Sequence, residues 1–125
     1  FTNFSDASGL SLTNQSRLRD IEKLIAYIYR NHPEILKWST SKKLEIIGLY
    51  PKIKKTLSNI NKFAGQPDFI GGKTGFLEES NGNLVSLFRY NNRSILIIVL
   101  GADDRFSETE KLRRCNQELH RIIED

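Results

Sequence analysis

The chain has 125 residues, of which 38% are hydrophobic, and its 19 Lys and Arg against 15 Asp and Glu give a net charge of +4. This length predicts one domain or part of one, and the ordinary apolar content with balanced charge excludes an intrinsically disordered chain. No apolar run reaches the ~18 residues of a transmembrane helix, and no signal peptide is visible at the start of the sequence. The mild basic excess is compatible with a nucleic-acid binder, an anionic-surface protein or a soluble basic domain.

The first third of the chain predicts an irregular entry followed by a helix. Residues 1–12 are rich in Ser, Asn, Asp and Gly, which favour loops. Thr13 or Asn14 is the predicted N-cap, and Pro33 is predicted to end or interrupt the helix near Asn31. Apolar residues recur at helical spacing and predict one buried face: Leu18, Ile21, Leu24, Ile25 and Ile28.

The middle of the chain is ambiguous. Residues 43–50 are compatible with a strand that Gly48 interrupts. Nearby lysines are predicted to be solvated, and a phosphate-binding patch is the alternative if they cluster in space. These lysines are Lys52, Lys54, Lys55 and Lys62.

The second half predicts consecutive strands and a closing helix. FIGGKTGF, residues 69–76, predicts a short strand, and residues 79–83 predict a turn. Two further strands, 84–90 and 93–101, are joined by Asn91 and Asn92, which tolerate the positive φ of a two-residue hairpin turn.

The closing helix is predicted to begin at a capping box of Ser107 and Glu110. Its apolar stripe makes Cys115 a predicted small buried hydrophobe, and a single cysteine excludes an intrachain disulfide. His32 and His120 are far apart and lack paired ligands, so no zinc site is predicted. The stripe consists of Leu112, Cys115, Leu119, Ile122 and Ile123.

One predicted strand is apolar at every position. Residues 95–100 read ILIIVL, whereas a strand with one wet face would alternate between apolar and polar residues. We therefore expect this strand to be covered on both faces and paired on both edges. The chain offers one clear partner, residues 84–90, and a bare apolar edge favours aggregation. We infer that an upstream segment, a second chain or a symmetry mate pairs with the other edge.

Three glycines surround Lys73 and Thr74 in the strand FIGGKTGF. Because glycine lacks a Cβ, another backbone can approach the strand closely. An edge strand with glycines, one ammonium and one hydroxyl suits an anionic peptide end that adds to the strand. Regular pleating places Lys73 and Thr74 on opposite faces, so both serve one site only if the strand is at an edge or twisted there. The alternative is a glycine-rich turn before a hairpin.

The sequence around this tripeptide matches a known family over nearly the whole chain. Lys-Thr-Gly is one of three signature motifs of penicillin-binding proteins and serine β-lactamases, with Ser-x-x-Lys and Ser-x-Asn. The segments DASGLS, RDIEKLIAYIYRNHPEIL, NINKFAG and IGGKTGFLEESNGNLVSLFRYNNRSILIIVLGADDRFSET follow in the family's order and spacing. The chain thus resembles the low-molecular-mass D-alanyl-D-alanine carboxypeptidases. The resemblance implies an α/β (α+β) fold, an antiparallel sheet flanked by helices that forms part of a transpeptidase-type domain.

The resemblance also implies roles for individual residues. Lys73 matches the motif lysine, which assists proton movement at the catalytic serine and binds the substrate carboxylate, and Thr74 offers its hydroxyl to that carboxylate. Gly75 keeps the strand open to substrate, and Phe76 offers a backbone N–H to an oxyanion hole. Arg105 falls where many family members place an arginine near the carboxylate, a task that suits its bidentate fork. Its alternative is an ion pair with Asp103, Asp104 or Glu108.

Two of the three family motifs have no counterpart in family order. No Ser-x-Asn occurs, and the one Ser-x-x-Lys, residues 39–42, follows DASGLS and lies too close to Lys73. We expect this match to be a coincidence, since a serine without an adjacent base is not activated. Residues 1–125 are therefore expected to be the C-terminal portion of a D-Ala-D-Ala carboxypeptidase domain. The nucleophile would lie in the N-terminal portion or on a second chain, and the isolated chain would be inactive.

The favoured function is that of a serine-type D-Ala-D-Ala carboxypeptidase, which acts outside the cytoplasm on peptidoglycan stem peptides and is acylated by β-lactams, without a metal or cofactor. The alternative is a non-catalytic module that binds peptidoglycan or another anionic peptide through Lys73, Thr74 and Arg105. A serine β-lactamase stays open, because deacylation machinery would lie in the missing region. A nucleic-acid partner is not expected, because no basic strand face carries interleaved aromatic residues.

Overall fold

A computed structural model describes the backbone of residues 2–124 and the side chains of residues 2–119. Strands β3, β4 and β5 form an antiparallel sheet in that order, and β1 and β2 form a separate antiparallel pair. Helices flank the larger sheet, which confirms the predicted α+β architecture. The elements are α1 (Leu18–Asn31), α2 (Pro33–Trp38), β1 (Lys43–Ile47), β2 (Lys54–Ser58), β3 (Phe69–Leu77), β4 (Asn81–Tyr90), β5 (Arg93–Ala102) and α3 (Arg105–Glu124).

The two turns of the larger sheet depend on asparagines with positive φ. Asn91 and Asn92 have φ of 45° and 60° and connect β4 to β5 as the predicted two-residue turn. The turn before β4 is shorter than predicted. Asn81 adopts a φ of 53° and is already the first residue of β4, so the strand takes over residues assigned to the turn.

The helix starts differ from the predicted caps. Arg17 is the N-cap of α1 and makes no side-chain capping bond, since its guanidinium has no acceptor atom. The predicted cap Asn14 instead accepts from the backbone N–H of Ser5 in the preceding loop. At α3, Asp104 caps the helix by accepting hydrogen bonds from the backbone N–H groups of Phe106 (3.0 Å) and Ser107 (3.1 Å). The predicted capping box at Ser107 is therefore wrong. Pro33 separates α1 from α2 as predicted.

Aromatic rings fill the space between the larger sheet and α3. Phe63 packs edge-to-face against Phe88, with ring centroids 5.1 Å apart, and Phe106 of α3 packs beside them. Arg113 of α3 stacks over Phe88 and pairs with Asp68, which fixes the helix on the sheet. The buried apolar cluster consists of Phe63, Phe69, Leu84, Phe88, Ile97 and Val99.

The predicted apolar stripes of the helices are buried only in part. In α1 only Ile25 is buried. In α3, Leu112 and Leu119 are about half exposed and Cys115 is exposed, so the expected burial of Cys115 is wrong for this chain. Leu112 lines an open groove beside Leu96 and Ile98 of β5, so helical periodicity alone does not bury it. Ile122 and Ile123 lie outside the residues whose side chains are described.

Strand β5 is an edge strand of the described sheet. It pairs with β4, and no described strand pairs with its other side. Ile97 and Val99 point into the core and are buried, whereas Leu96 and Ile98 on the opposite face remain half-buried. The all-apolar strand thus has one unpaired edge within the described chain, as expected from its sequence.

The β1–β2 hairpin stands apart from this core. Strand β1 ends at Ile47, before Gly48, as predicted. The nearby lysines are exposed, as predicted, and Lys54 forms an ion pair with Glu45 at 2.9 Å. Lys62 lies elsewhere, over the Phe106 ring, so it does not join the hairpin lysines in one phosphate-binding patch.

Candidate active site

A single cleft of about 890 Å³ gathers every residue that the sequence singled out for the site. Strand β3 forms one wall, and the loop of residues 6–10 and helix α1 contribute others. Arg105, the first residue of α3, also lines the cleft. The predicted residues that line the cleft are Lys73, Thr74, Gly75, Phe76 and Arg105.

The glycines of β3 separate into two kinds. A Cβ on Gly71, whose φ is +151°, would lie 2.5 Å from the carbonyl oxygen of Leu36, and one on Gly72 would collide with that of Val85. These two glycines allow α2 and β4 to approach the strand. A Cβ on Gly75 would meet only the Asn83 side chain, at 3.8 Å. Nothing within the described chain requires glycine at position 75, so this part of the strand is open on the cleft side.

Lys73 and Thr74 reach the same cleft from opposite faces of the sheet. Lys73 lies opposite Val85 and is exposed, and its ammonium donates to the backbone carbonyl of Thr74. Thr74 lies opposite Leu84 and is buried, and its hydroxyl makes no hydrogen bond with another described residue. Both line one cleft because β3 is an edge strand of its sheet. An edge position was one of the two arrangements, with a twisted strand, that would let residues on opposite faces serve one site.

Arg105 is held by aromatic rings. Its guanidinium carbon lies 4.9 Å from the ring centroid of Phe106 and 5.9 Å from that of Phe76. A Cβ on Gly82 would come within 3.2 Å of the arginine side chain, so glycine at that position makes room for it. Within residues 2–119 the guanidinium forms no ion pair, and its buried Nε has no hydrogen-bond partner. The predicted alternative, an ion pair with a neighbouring carboxylate, is therefore not formed.

Sequence reasoning did not single out Asp6, which lines the same cleft. Its carboxylate accepts hydrogen bonds from the backbone N–H groups of Gly9 (2.6 Å) and Ser11 (2.7 Å) and from the Ser8 hydroxyl (3.0 Å). The bond from Gly9 is the main cause that lowers the pKa of Asp6 to about 2. The DASGLS segment is thus a loop folded around one ionised carboxylate. The Asp followed three residues later by Gly was the sequence signal for such a turn.

Ser39, the serine of the literal Ser-x-x-Lys, uses its hydroxyl in two structural hydrogen bonds. Its Oγ donates to the carbonyl of Leu36 at 2.6 Å and accepts from the backbone N–H of Gly72 at 2.8 Å. The serine therefore links the end of α2 to β3. No lysine amine contacts this hydroxyl among the described residues.

The part of the chain that the structure describes lacks two further features. Its His, Cys, Asp and Glu side chains form no group of three that could hold a metal ion. None of its helices has both the length and the apolar composition needed to cross a bilayer.

Known proteins resemble this chain over the residues that form the cleft. The family model for D-alanyl-D-alanine carboxypeptidase matches residues 1–104, which include all of β3, β4 and β5. A D-alanyl-D-alanine endopeptidase from Pseudomonas aeruginosa is 28% identical over 118 residues, covering 90% of this chain and 38% of that protein.

A solved structure gives the same picture in three dimensions. Penicillin-binding protein D2 from Listeria monocytogenes, determined in its cefotaxime-bound form, superimposes with a TM-score of 0.74 and 28% sequence identity. The match covers 90% of this chain and 47% of that one, so the chain spans less than half the length of both relatives. Because the family model covers most of the chain, the chain belongs to the D-alanyl-D-alanine carboxypeptidase family.

Proposed function

We propose that this chain is the C-terminal portion of a serine-type D-Ala-D-Ala carboxypeptidase domain and forms the Lys-Thr-Gly wall of its active site. The observation that carries the proposal is the shared cleft, in which an edge strand, an exposed ammonium, a free hydroxyl and an arginine without an ion pair meet. These groups suit a peptide that ends in a carboxylate. Family membership supports the peptidoglycan stem ending in D-Ala-D-Ala as that peptide, and the cell envelope, outside the cytoplasm, as the site of action.

The substrate peptide would add to the open edge of β3 beside Gly75, where backbone groups can form a ladder. Its terminal carboxylate would lie between Thr74 and Arg105. The hydroxyl would donate one hydrogen bond, and the guanidinium would offer its planar fork. Held between aromatic rings, the guanidinium needs little reorganisation before it binds an anion.

The chemistry requires a serine that this chain does not provide. In the proposed reaction the serine oxygen attacks the carbonyl of the penultimate D-Ala, the terminal D-Ala leaves, and water hydrolyses the resulting ester. Lys73 would assist proton movement at that serine, and the backbone N–H of Phe76 would stabilise the oxyanion. β-Lactams, which the Listeria relative binds as cefotaxime, would acylate the same serine. The nucleophile would come from the N-terminal portion of the domain or from a second chain.

The test is the intact mass of the 125-residue chain, and of the protein encoded by its complete gene, before and after incubation with benzylpenicillin. We expect no adduct on the 125-residue chain and one adduct per molecule on the complete protein. An adduct on the short chain would overturn the missing-nucleophile proposal, because the acylated serine would then lie within the chain. Ser39 would be the first serine to test, since it is the one serine that a lysine follows at the family spacing.

A complete protein that takes no adduct would favour the non-catalytic binding module. The observation that favours this second candidate is that Lys73, Thr74 and Arg105 line one cleft while Ser39 serves only as a structural link. It predicts reversible binding of a D-Ala-D-Ala peptide by calorimetry, which Lys73→Ala abolishes and Lys55→Ala, on the exposed hairpin, leaves unchanged. Absence of both the adduct and the binding would contradict both candidates.

A further inference from the structure

The tip of the β1–β2 hairpin exposes large apolar side chains. Leu49 is 85% exposed and Tyr50 is 99% exposed, and Ile47 and Ile53 on either side are each more than half exposed. The tip is a closed loop rather than a loose strand end, because the backbone N–H of Gly48 donates to the carbonyl of Ile53 at 2.9 Å. The loop thus presents a convex apolar surface to solvent, the kind of surface that marks an interaction site.

The hairpin projects from the rest of the described chain. The backbones of β1 and β2 run against each other, and neither runs close to any other described helix or strand. All positions of both strands are exposed. A two-stranded hairpin is marginally stable by itself, so the exposed apolar tip is an extra cost in water unless something covers it.

Cations lie close to the apolar tip on the second arm of the hairpin. From Lys43 to Lys55 the hairpin carries four lysines and one glutamate, and the lysines are exposed. Lys52 lies in the loop itself, and Lys54 and Lys55 follow Ile53 directly. At about 3.3 Å per strand residue, these ammonium groups stand only one or two residue steps behind the apolar side chains. The only ion pair that the described residues give this hairpin joins Lys54 to Glu45.

We propose that this tip docks on an anionic lipid bilayer. The side chains of Leu49, Tyr50 and Ile53 would enter the boundary between the headgroups and the acyl chains. Interfacial segments insert to a depth of about 5–10 Å, and we expect the same depth for this tip. Tyrosine is enriched at this boundary because its ring is amphipathic. Lys52 and Lys55 would then lie at the level of the lipid phosphates and bind them electrostatically.

The geometry favours a bilayer over a protein partner. A protein partner would have to surround a convex loop with a matching pocket, and the tip offers a small area for that purpose. A bilayer needs no pocket, because the lipids adapt to an apolar wedge backed by cations. The excess of positive charge specifies an anionic surface rather than a neutral one. This inference is independent of the proposed catalytic function, since it uses none of the residues that line the cleft.

The test measures binding of the chain to 100-nm vesicles by sedimentation. Vesicles of phosphatidylglycerol and phosphatidylcholine in equal amounts should bind the chain, pure phosphatidylcholine should bind it weakly, and added NaCl should reduce the binding. The double variant Leu49→Ser/Tyr50→Ser should weaken partitioning by about tenfold or more. The double variant Leu12→Ser/Leu119→Ser, which removes exposed apolar side chains elsewhere, is the matched control and should bind like the parent.

A second measurement places the tip in the membrane directly. Because the chain has a single tryptophan, Trp38, the variant Trp38→Phe/Tyr50→Trp reports from the tip alone. Its fluorescence should shift to the blue on anionic vesicles and be quenched by lipids brominated near the headgroup. Equal binding of the Leu49→Ser/Tyr50→Ser variant and the parent, or an unshifted tip fluorescence on vesicles that carry the chain, would overturn the proposal. Equal affinity for neutral and anionic vesicles would also contradict it.

Discussion

The backbone N–H of Gly72 donates a 2.8 Å hydrogen bond to the hydroxyl of Ser39, which in turn donates to the carbonyl of Leu36. This relay joins the end of α2 to β3 one residue before Lys73. The serine that matches the family's nucleophile motif in letters therefore acts as a structural link. Its only proton is donated to a carbonyl, and no lysine amine that could act as a base bonds to it among the described residues.

Ser39→Ala should lower the free energy of unfolding by about 1–2 kcal/mol, because it leaves the partly buried N–H of Gly72 without a partner. Urea denaturation followed by far-UV circular dichroism measures this loss. Ser41→Ala, at an exposed position two residues later, is the control and should change stability little. Penicillin acylation of the complete protein should survive Ser39→Ala, and its loss would mean that this serine takes part in the chemistry.

Gly72→Ala and Gly75→Ala should have opposite consequences. The first places a Cβ on the carbonyl oxygen of Val85 and should cost about 3 kcal/mol or more, since the backbone must move apart. The second meets only a side chain at 3.8 Å and should change the free energy of unfolding by less than about 0.5 kcal/mol.

Gly75→Ala should impair penicillin acylation although it leaves the free energy of unfolding almost unchanged. If a peptide adds to β3 beside Gly75, a methyl group there should slow penicillin acylation of the complete protein while its thermal midpoint stays constant. Acylation at the parental rate by Gly75→Ala would show that the substrate does not approach this strand position. A Gly72→Ala protein as stable as the parent would contradict the close approach of Val85.

Local chemistry decided the features that sequence reasoning predicted correctly. Pro33 interrupts a helix and paired asparagines turn a hairpin in almost any surroundings, because the backbone preference resides in the residue itself. The burial of Cys115 and of Leu119 was predicted wrongly, since burial depends on what packs against a helix and not on its periodicity alone.

The caps illustrate a second limit of sequence reasoning. Several side chains in a row could cap each helix, and tertiary contacts decide among them. Asn14 was available to α1, but its Oδ1 accepts from the backbone N–H of Ser5 at 2.7 Å instead. The cleft residues on β3 and Arg105 could be predicted from the family resemblance. The turn around Asp6 had a sequence signal, but its position at the cleft could not be predicted, because it depends on which elements line the cleft.

The loop around Asp6 should respond to acid. Its pKa of about 2 in the folded chain lies below the ordinary value of 3.8, so the ionised carboxylate stabilises the fold fully above pH 4 or so. That contribution should be lost as the pH falls from the ordinary value through the folded one. Amide chemical shifts of Gly9 and Ser11, followed by NMR from pH 6 to pH 1, should titrate with a midpoint near the lower value.

Asp6→Asn tests the same loop at neutral pH. The neutral amide retains only one acceptor oxygen, so it cannot hold both Gly9 and Ser11, and their amide protons should exchange faster with solvent. Asp103→Asn, at an exposed position, serves as the control. Unchanged exchange in Asp6→Asn, or a midpoint near the ordinary pKa in the parent, would show that the carboxylate does not organise the loop.

Arg105 should be sensitive to replacement by lysine. An ammonium keeps the charge but loses the planar fork and the stacking on Phe76 and Phe106, so Arg105→Lys should slow penicillin acylation of the complete protein by about 10- to 100-fold. Arg114→Lys, whose parent arginine is exposed on the same helix and pairs with Glu110 at 3.5 Å, is the matched control. Equal acylation rates for Arg105→Lys and the parent would exclude a carboxylate-binding role, provided that both variants keep the parental thermal midpoint.

The unpaired edge of β5 should make the isolated chain self-associate. Leu96 and Ile98 lie half-buried on a strand whose other edge has no partner among the described strands, and such edges pair with other chains. Leu96→Lys should convert concentration-dependent oligomers into monomer in sedimentation velocity, because a charge on the strand opposes edge-to-edge pairing. Leu10→Lys, which adds the same charge at an exposed loop position, should leave the oligomers intact. A parent chain that stays monomeric at high micromolar concentration would mean that the edge is protected without a partner, and it would remove the physical argument for a missing strand.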